Sequence, residues 1–253
     1  MDSDRQRLLA TMPLHAITST YGEPGLRDRF AAEIASWPEP DRQRMQHALE
    51  LASRLHGADR REHEPYLNHL LRVAIRIISY YHVRDADVIC AALLHDAVED
   101  HTAELAGGAA ADGSADGGAG GVAAALAVLA AEFGPRVAEL VGAVTNPEYA
   151  ADRDAHEQYR EHVAASLRDC PWARVIKASD FTDNGAGLIH TTGPRLHRLA
   201  GKYAPLVPVL RELVARPDTP LDAPVKQHIA AQLDRAAERF AALSGDPAAG
   251  GAG

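Results

Sequence analysis

Aromatic side chains make up only 5% of the 253 residues, and cysteine occurs twice. The first shortage argues against sheet-rich folds, because aromatic and β-branched residues are the ones that suit a pleated surface. The second excludes a disulfide framework: Cys90 sits inside an apolar helical run, and the usage fits a reducing cytosol. Basic charge is also short, with 26 Lys and Arg against 35 Asp and Glu and a formal net charge of −9. A broad nucleic-acid surface needs clustered lysine and arginine, so nucleic acid is not an expected partner. A small anionic substrate stays open, since a metal and two or three arginines reverse the field locally. No uncharged apolar run reaches the length of a membrane span, and MDSDRQRLLATM lacks a charged-then-apolar signal pattern. No membrane partner and a cytoplasmic location are therefore expected. What is abundant is alanine and leucine within a 46% apolar composition, which favours packed helices.

Residues 1–25 mix Pro13, Gly22, Pro24 and Gly25 with polar residues and predict a loosely ordered lead-in. A single helical domain is expected over 26–243. Within it, Met45, Leu49, Ala52 and Leu55 recur at helical spacing. Glu64-Pro65 predicts a helix start, followed by Leu67, Leu70, Leu71, Ala74, Ile75 and Ile78 on one apolar stripe. Asp85 reads as the N-cap of a continuous helix through ADVICAALLHDAVED. The glycine- and alanine-rich stretch at about 106–121 shows no apolar period and predicts a flexible insert. Further helices are expected over 154–168, 172–184, 194–203, 205–215 and 223–243, with a disordered tail at 244–253.

The chemistry concentrates in LLHDAVED, where His95, Asp96, Glu99 and Asp100 follow an apolar run. On a continuous helix His95 and Glu99 would stack at i, i+4, as would Asp96 and Asp100. Three carboxylates in a last helical turn would oppose the helix dipole, and a bound cation would offset that cost. In RVIKASDFTDN, Lys177, Asp180 and Asn184 share a helical face, so a cation-binding carboxylate lies between two groups able to hold an anion. His69 stands alone in an apolar helix behind Arg60 and Arg61; a lone histidine there is more often a core residue than a ligand. His56 and His63 lie near these residues, but their spacing makes neither a ligand. His15, His47, His82, His101, His156, His162, His190, His197 and His228 read as surface residues or supports.

Taken together these segments resemble the HD superfamily of metal-dependent phosphohydrolases, in particular the hydrolase domain of RelA/SpoT-type alarmone enzymes and the small alarmone hydrolases. That family reads R-K-S-G-E-P-Y-x-x-H-P, then A-L-L-H-D-V-V-E-D, G-V-T-K and I-K-L-A-D-R-x-H-N-M. Here the order is Arg60-Arg61-Glu62-His63-Glu64-Pro65-Tyr66 leading to His69, then Ala92 to Asp100, Ala143-Val144-Thr145-Asn146, and Ile176-Lys177-Ala178-Ser179-Asp180 with Asn184. The resemblance covers about residues 45–190 and implies an all-α HD-domain helical bundle, here with extra C-terminal helices. It implies a divalent metal, manganese by family habit, on His69, His95, Asp96 and Asp180; two imidazoles and two carboxylates suit such an ion. It also implies Glu99 and Asp100 at the attacking water, and Arg60, Arg61, Lys177 and Asn184 at the nucleotide. The departures are His63 for glycine, Leu70 for proline, Phe181 for arginine, Asp183 for histidine and Gly185-Ala186 for methionine-arginine. Several of them fall where the base and 3′-phosphates would lie.

The expected activity is metal-dependent phosphohydrolysis of a small-molecule nucleotide, with removal of the 3′-pyrophosphate of a (p)ppGpp-type alarmone as the leading form. The alternatives are an HD-type nucleotidase or phosphodiesterase with another nucleotide substrate, a slow nucleotide-binding sensor, and a helical scaffold that binds no metal.

Overall fold

Every residue from Leu67 to Ile78 is buried, and this one helix organises the first half of the chain. Its apolar stripe is wider than the sequence spacing suggests, because Val73 and Ile77 are enclosed along with Leu70, Leu71, Ala74 and Ile75. A helix covered on all sides belongs at the centre of a bundle. Two of its buried polar residues share one partner: Arg72 makes a two-pronged ion pair with Glu64, at 2.7 Å on each prong, and Asn68 donates to the same carboxylate at 3.0 Å. Paired charges of this kind keep a buried guanidinium tolerable.

The computed structural model describes residues 3–61, 63–107, 119–187 and 193–244. Among them there are thirteen helices, and the β pairing is an isolated bridge between Arg60 and Pro65. The all-α expectation is met. The chain divides into two compact units, Met1–Glu148 and Tyr149–Gly253. No helix among the described residues is long and apolar enough to cross a membrane.

The first unit holds α1 (Ser3–Thr11), α2 (Leu14–Ile34), α3 (Glu39–Leu55), α4 (Leu67–Ser79), α5 (Ala86–Leu93), α6 (Ala97–Leu105), α7 (Ala119–Phe133) and α8 (Pro135–Val144). Helices α2, α3 and α5 pack on α4, and α8 packs on α5. The N-terminal residues depart from the loose lead-in expected of them. Leu9, Leu14 and Ile17 are buried, and the buried Arg29 donates to the Leu9 carbonyl while pairing with Glu33. Gly22, Pro24 and Gly25 suggest a break, but Gly22 takes up a left-handed φ of 61° and kinks α2 without ending it. Only glycine adopts that conformation cheaply.

Asp85 caps α5 as the sequence predicts, accepting from the backbone N–H groups of Asp87 and Val88. Arg136 grips Asp85 at 2.7 and 2.9 Å, while Arg44 reaches Asp87 at 2.6 Å and the Phe133 carbonyl at 2.7 Å. These contacts tie α3, α5 and α8 together around the start of α5. Of the predicted flexible insert, residues 108–118 lie outside the described residues, while Gly120 and Gly121 already belong to α7. The predicted tail, from 245 onward, also lies outside them.

The second unit holds α9 (Ala155–Ser166), α10 (Pro171–Gly187), α11 (Gly193–Tyr203), α12 (Leu206–Ala215) and α13 (Ala223–Ser244), close to the predicted spans. Helix α10 packs on α12 and α13. Phe181 meets the rings of Tyr203 and Phe240 edge-on, at centroid distances of 5.9 and 6.4 Å. Phe181 is 2% exposed. It is a core residue of this unit.

Candidate metal centre and active site

The centre is built at a helix break that the sequence reading runs through. Helix α5 stops at Leu93, Leu94 leaves helical geometry at φ −108° and ψ 8°, and α6 begins at Ala97. His95 explains the break. Its Nδ1 donates to the Ala92 carbonyl at 2.9 Å, and a continuing helix would have offered that acceptor to the backbone N–H of Asp96. A side chain that captures a backbone acceptor competes with the helix ladder. Asp96 becomes the N-cap residue of α6, and Glu99 and Asp100 fall in its first turn. The predicted conflict with a helix C-terminus is thereby corrected: these acids lie at the positive end of a dipole, where they are favourable.

Because His95 Nδ1 carries its proton toward Ala92, Nε2 holds the lone pair, and it lies 3.0 Å from Asp96 Oδ2. His69, on the first turn of α4, brings its own Nε2 to 3.7 Å from the same oxygen. Both imidazoles are buried, and their ring centroids stand 5.3 Å apart. Two imidazole nitrogens facing one carboxylate, with one tautomer fixed by a backbone carbonyl, are the donor set and support that a divalent cation needs. His69 and His95 belong to a His/Asp cluster that could hold such an ion.

Asp96 is also held by Tyr66, whose hydroxyl donates to Oδ2 at 2.7 Å. Burial, and then the Asp96 charge, push the Tyr66 hydroxyl far above its ordinary pKa, so it stays a donor. Tyr66 precedes α4, which starts at Leu67 rather than at Pro65; Pro65 instead bridges to Arg60, closing the 60–65 turn. Sequence reasoning used Tyr66 only as part of a motif and missed its contact with Asp96. Its position three residues ahead of His69 is the signal that could have found it.

Glu99 accepts from both the backbone N–H and the side-chain amide of Asn146, at 3.2 and 2.8 Å. Asn146 is a second supporting residue the sequence reading left without a role. Asp100 carries the clearest electrostatic signature. Its carboxyl is partly enclosed although the residue as a whole is exposed, and burial, followed by the charges of Asp96 and Glu99, pushes its pKa up to about 6.

The remaining predicted residues are placed as follows. Arg60 is exposed. Arg61 lies over the Tyr66 ring at 5.1 Å, with its backbone N–H bonded to the Glu64 carbonyl. Glu62, within the same motif, lies outside the described residues. In the second unit, Asp180 is buried on α10, pairs with Lys177 Nζ at 2.9 Å and accepts from Asn184 at 2.6 Å. The shared face predicted for Lys177, Asp180 and Asn184 is therefore real.

Comparison with known proteins fits this picture. Residues 48–173 match the family model described as HD domain. The chain is 29% identical over 168 residues, 66% of its length, to a guanosine-3′,5′-bis(diphosphate) 3′-pyrophosphohydrolase of Aquifex aeolicus. It is 30% identical over 164 residues to a probable GTP pyrophosphokinase of Mycobacterium leprae. The matches span only 20% and 18% of those two proteins, so the chain corresponds to about a fifth of their length. A solved structure described as a metazoan ortholog of SpoT that hydrolyzes ppGpp superposes with a TM-score of 0.57 at 24% identity. That match covers 81% of this chain and 97% of the other, and it shows a shared fold. The match of residues 48–173, the helical fold and the His95-Asp96 dyad lead to one conclusion: the chain is a member of the HD-domain family.

Proposed function

We propose that this protein is an HD-type metal-dependent phosphohydrolase whose substrate is a nucleotide carrying a 3′-pyrophosphate, of the (p)ppGpp kind. The observation that carries the proposal is the convergence of His69 Nε2 and His95 Nε2 on the Asp96 carboxylate, with Glu99 and Asp100 one turn further along. The named activity of the Aquifex relative supports the substrate class.

In this reading His69, His95 and Asp96 hold the ion, Asp180 is the fourth ligand that the family resemblance implies, and Mn2+ is the resident metal. A divalent cation there supplies Lewis acidity, acidifying water and neutralising charge on the phosphoryl oxygens. The protein's own groups do the rest. Asp100 takes the proton of the attacking water, because a carboxylate raised to about 6 sits close to the pH at which a general base works best. Glu99, held by Asn146, orients that water. Tyr66 fixes the Asp96 carboxylate. Arg60 and Arg61 bind substrate phosphate or stack on the base, and Lys177 and Asn184 hold sugar or phosphate oxygens. Attack of water on the 3′-phosphate chain releases pyrophosphate as a unit and leaves GDP or GTP.

A second substrate reading rests on one observation: Phe181, at the family's arginine position, is packed against Tyr203 and Phe240 in the core. A nucleotide that does not need that arginine fits as well. Incubation with Mn2+ and a panel of guanosine and adenosine 3′-pyrophosphates, deoxynucleoside monophosphates and cyclic nucleotides decides between them. Turnover of the guanosine 3′-pyrophosphates above the rest supports the proposal. Preference for another class moves the substrate assignment, and no turnover at all refutes the hydrolase reading.

A further inference from the structure

His56, Asp59 and His101 bring one ligand atom each to within 4.8 Å of one another, and none of the three belongs to the centre described above. Asp59 Oδ2 is the meeting point: His56 Nδ1 lies 2.8 Å from it and His101 Nε2 2.7 Å. Three separate elements deliver these groups. His56 ends α3, Asp59 lies in the loop that follows, and His101 sits inside α6 where the backbone departs from helical geometry at φ −130° and ψ 33°. The His56 imidazole is fully buried, while His101 and Asp59 are partly open to solvent.

We propose that this triad is a second cation site, for a divalent transition metal of the zinc type. Two imidazole nitrogens and one carboxylate oxygen are the donor set of an open zinc site, with the fourth position left to water or an anion. The half-open Asp59 edge gives that position access to solvent.

The surroundings support the ligated form of the His101 ring. A metal requires a lone pair on His56 Nδ1 and on His101 Nε2, so each neutral ring must carry its proton on the opposite nitrogen. For His101 that nitrogen, Nδ1, faces Glu104 Oε2 at 3.5 Å, the carboxylate–histidine support common around bound metals. For His56 it is Nε2, which is buried and has no hydrogen-bond partner, so the shifted proton is left unpaired and the bond from Nδ1 to the metal has to offset that cost. Neither ring has to be ionised; each changes tautomer. The His56 ring is clamped flat against Tyr66, at 4.9 Å and 11°, and edge-on against His101 at 4.5 Å. Tyr66 in turn donates to Asp96, so an ion on the triad would stiffen the residue that positions an HD-centre carboxylate.

The test is the zinc stoichiometry of the full chain, stripped with chelator and titrated with Zn2+ alone, read by calorimetry and by elemental analysis after desalting. Wild type should bind two ions per chain. His101→Ala and Asp59→Asn should each bind one, His95→Ala should bind one, and His95→Ala with His101→Ala should bind none. His101 and Asp59 are chosen because both reach the surface, and circular dichroism checks that each variant folds. One ion in wild type that persists in both triad variants overturns this site, and its loss in His95→Ala leaves the HD centre standing. One ion that is lost in His101→Ala and kept in His95→Ala supports the triad and refutes the HD centre. The absence of any bound ion refutes both.

Discussion

Asp100→Asn is expected to make the metal-free protein more stable while removing its activity. In the folded chain the Asp100 carboxyl is raised from an ordinary 3.8 to about 6 by burial and by the charges of Asp96 and Glu99. A raised pKa means the folded state holds that proton more tightly than the unfolded state does. The associated stability is fully present below pH 3.8 and is lost as pH rises through about 6. At 1.36 kcal/mol per unit the shift corresponds to about 3 kcal/mol. Solvent around this exposed residue screens the interaction, and about 1 kcal/mol is the expected remainder. Asparagine keeps the shape and stays neutral at every pH. Urea denaturation of the metal-free proteins should therefore give matched midpoints near pH 4 and a variant more stable by about 1 kcal/mol at pH 7.5. A variant less stable at pH 7.5, or equally stabilised at both pH values, would show that the raised Asp100 carboxyl does not set this stability. Divalent cation should narrow the gap, because it offsets the same repulsion in wild type.

Three further outcomes follow from other contacts. Tyr66→Phe removes the hydroxyl that holds Asp96; metal affinity measured by titration should fall about 10- to 100-fold with the thermal midpoint little changed. Asp85→Ala deletes the α5 N-cap and the partner of Arg136; denaturation should show a loss of about 1–2 kcal/mol. Arg174 is fully buried and binds the Leu167 carbonyl, Asp218 and Thr219, so Arg174→Met should destabilise the second unit by about 3 kcal/mol as followed by hydrogen exchange of α10 and α12.

Fold class and helix spans were legible because apolar periodicity is a local property. The stripe from Leu67 to Ile78 and the cap at Asp85 are written in residue type alone. What escaped the sequence depends on side chains reaching the backbone or across the fold. The break at His95 arises from an imidazole that takes the Ala92 carbonyl, which no spacing rule registers. Residues 3–25 looked loose because Gly22, Pro24 and Gly25 are breakers in isolation; the kink they make is compatible with Leu14 and Ile17 being buried on its N-terminal side. His101 read as a surface residue because its partners, Asp59 and His56, are more than forty positions away. In the candidate site, His95 and Asp96 stood out in the sequence through their crowding after an apolar run. His69 had only the family resemblance behind it, and it is tied to them by a contact between helices.

An ion on His69, His95 and Asp96 is proposed to drive hydrolysis of a 3′-pyrophosphate. The most direct measurement is 31P NMR of products from ppGpp and Mn2+, with wild type beside Asp96→Ala. Wild type should give GDP and pyrophosphate in equal amounts, with no product without the cation and none from the variant. Stepwise release of inorganic phosphate, or undiminished turnover by Asp96→Ala, would contradict this proposal.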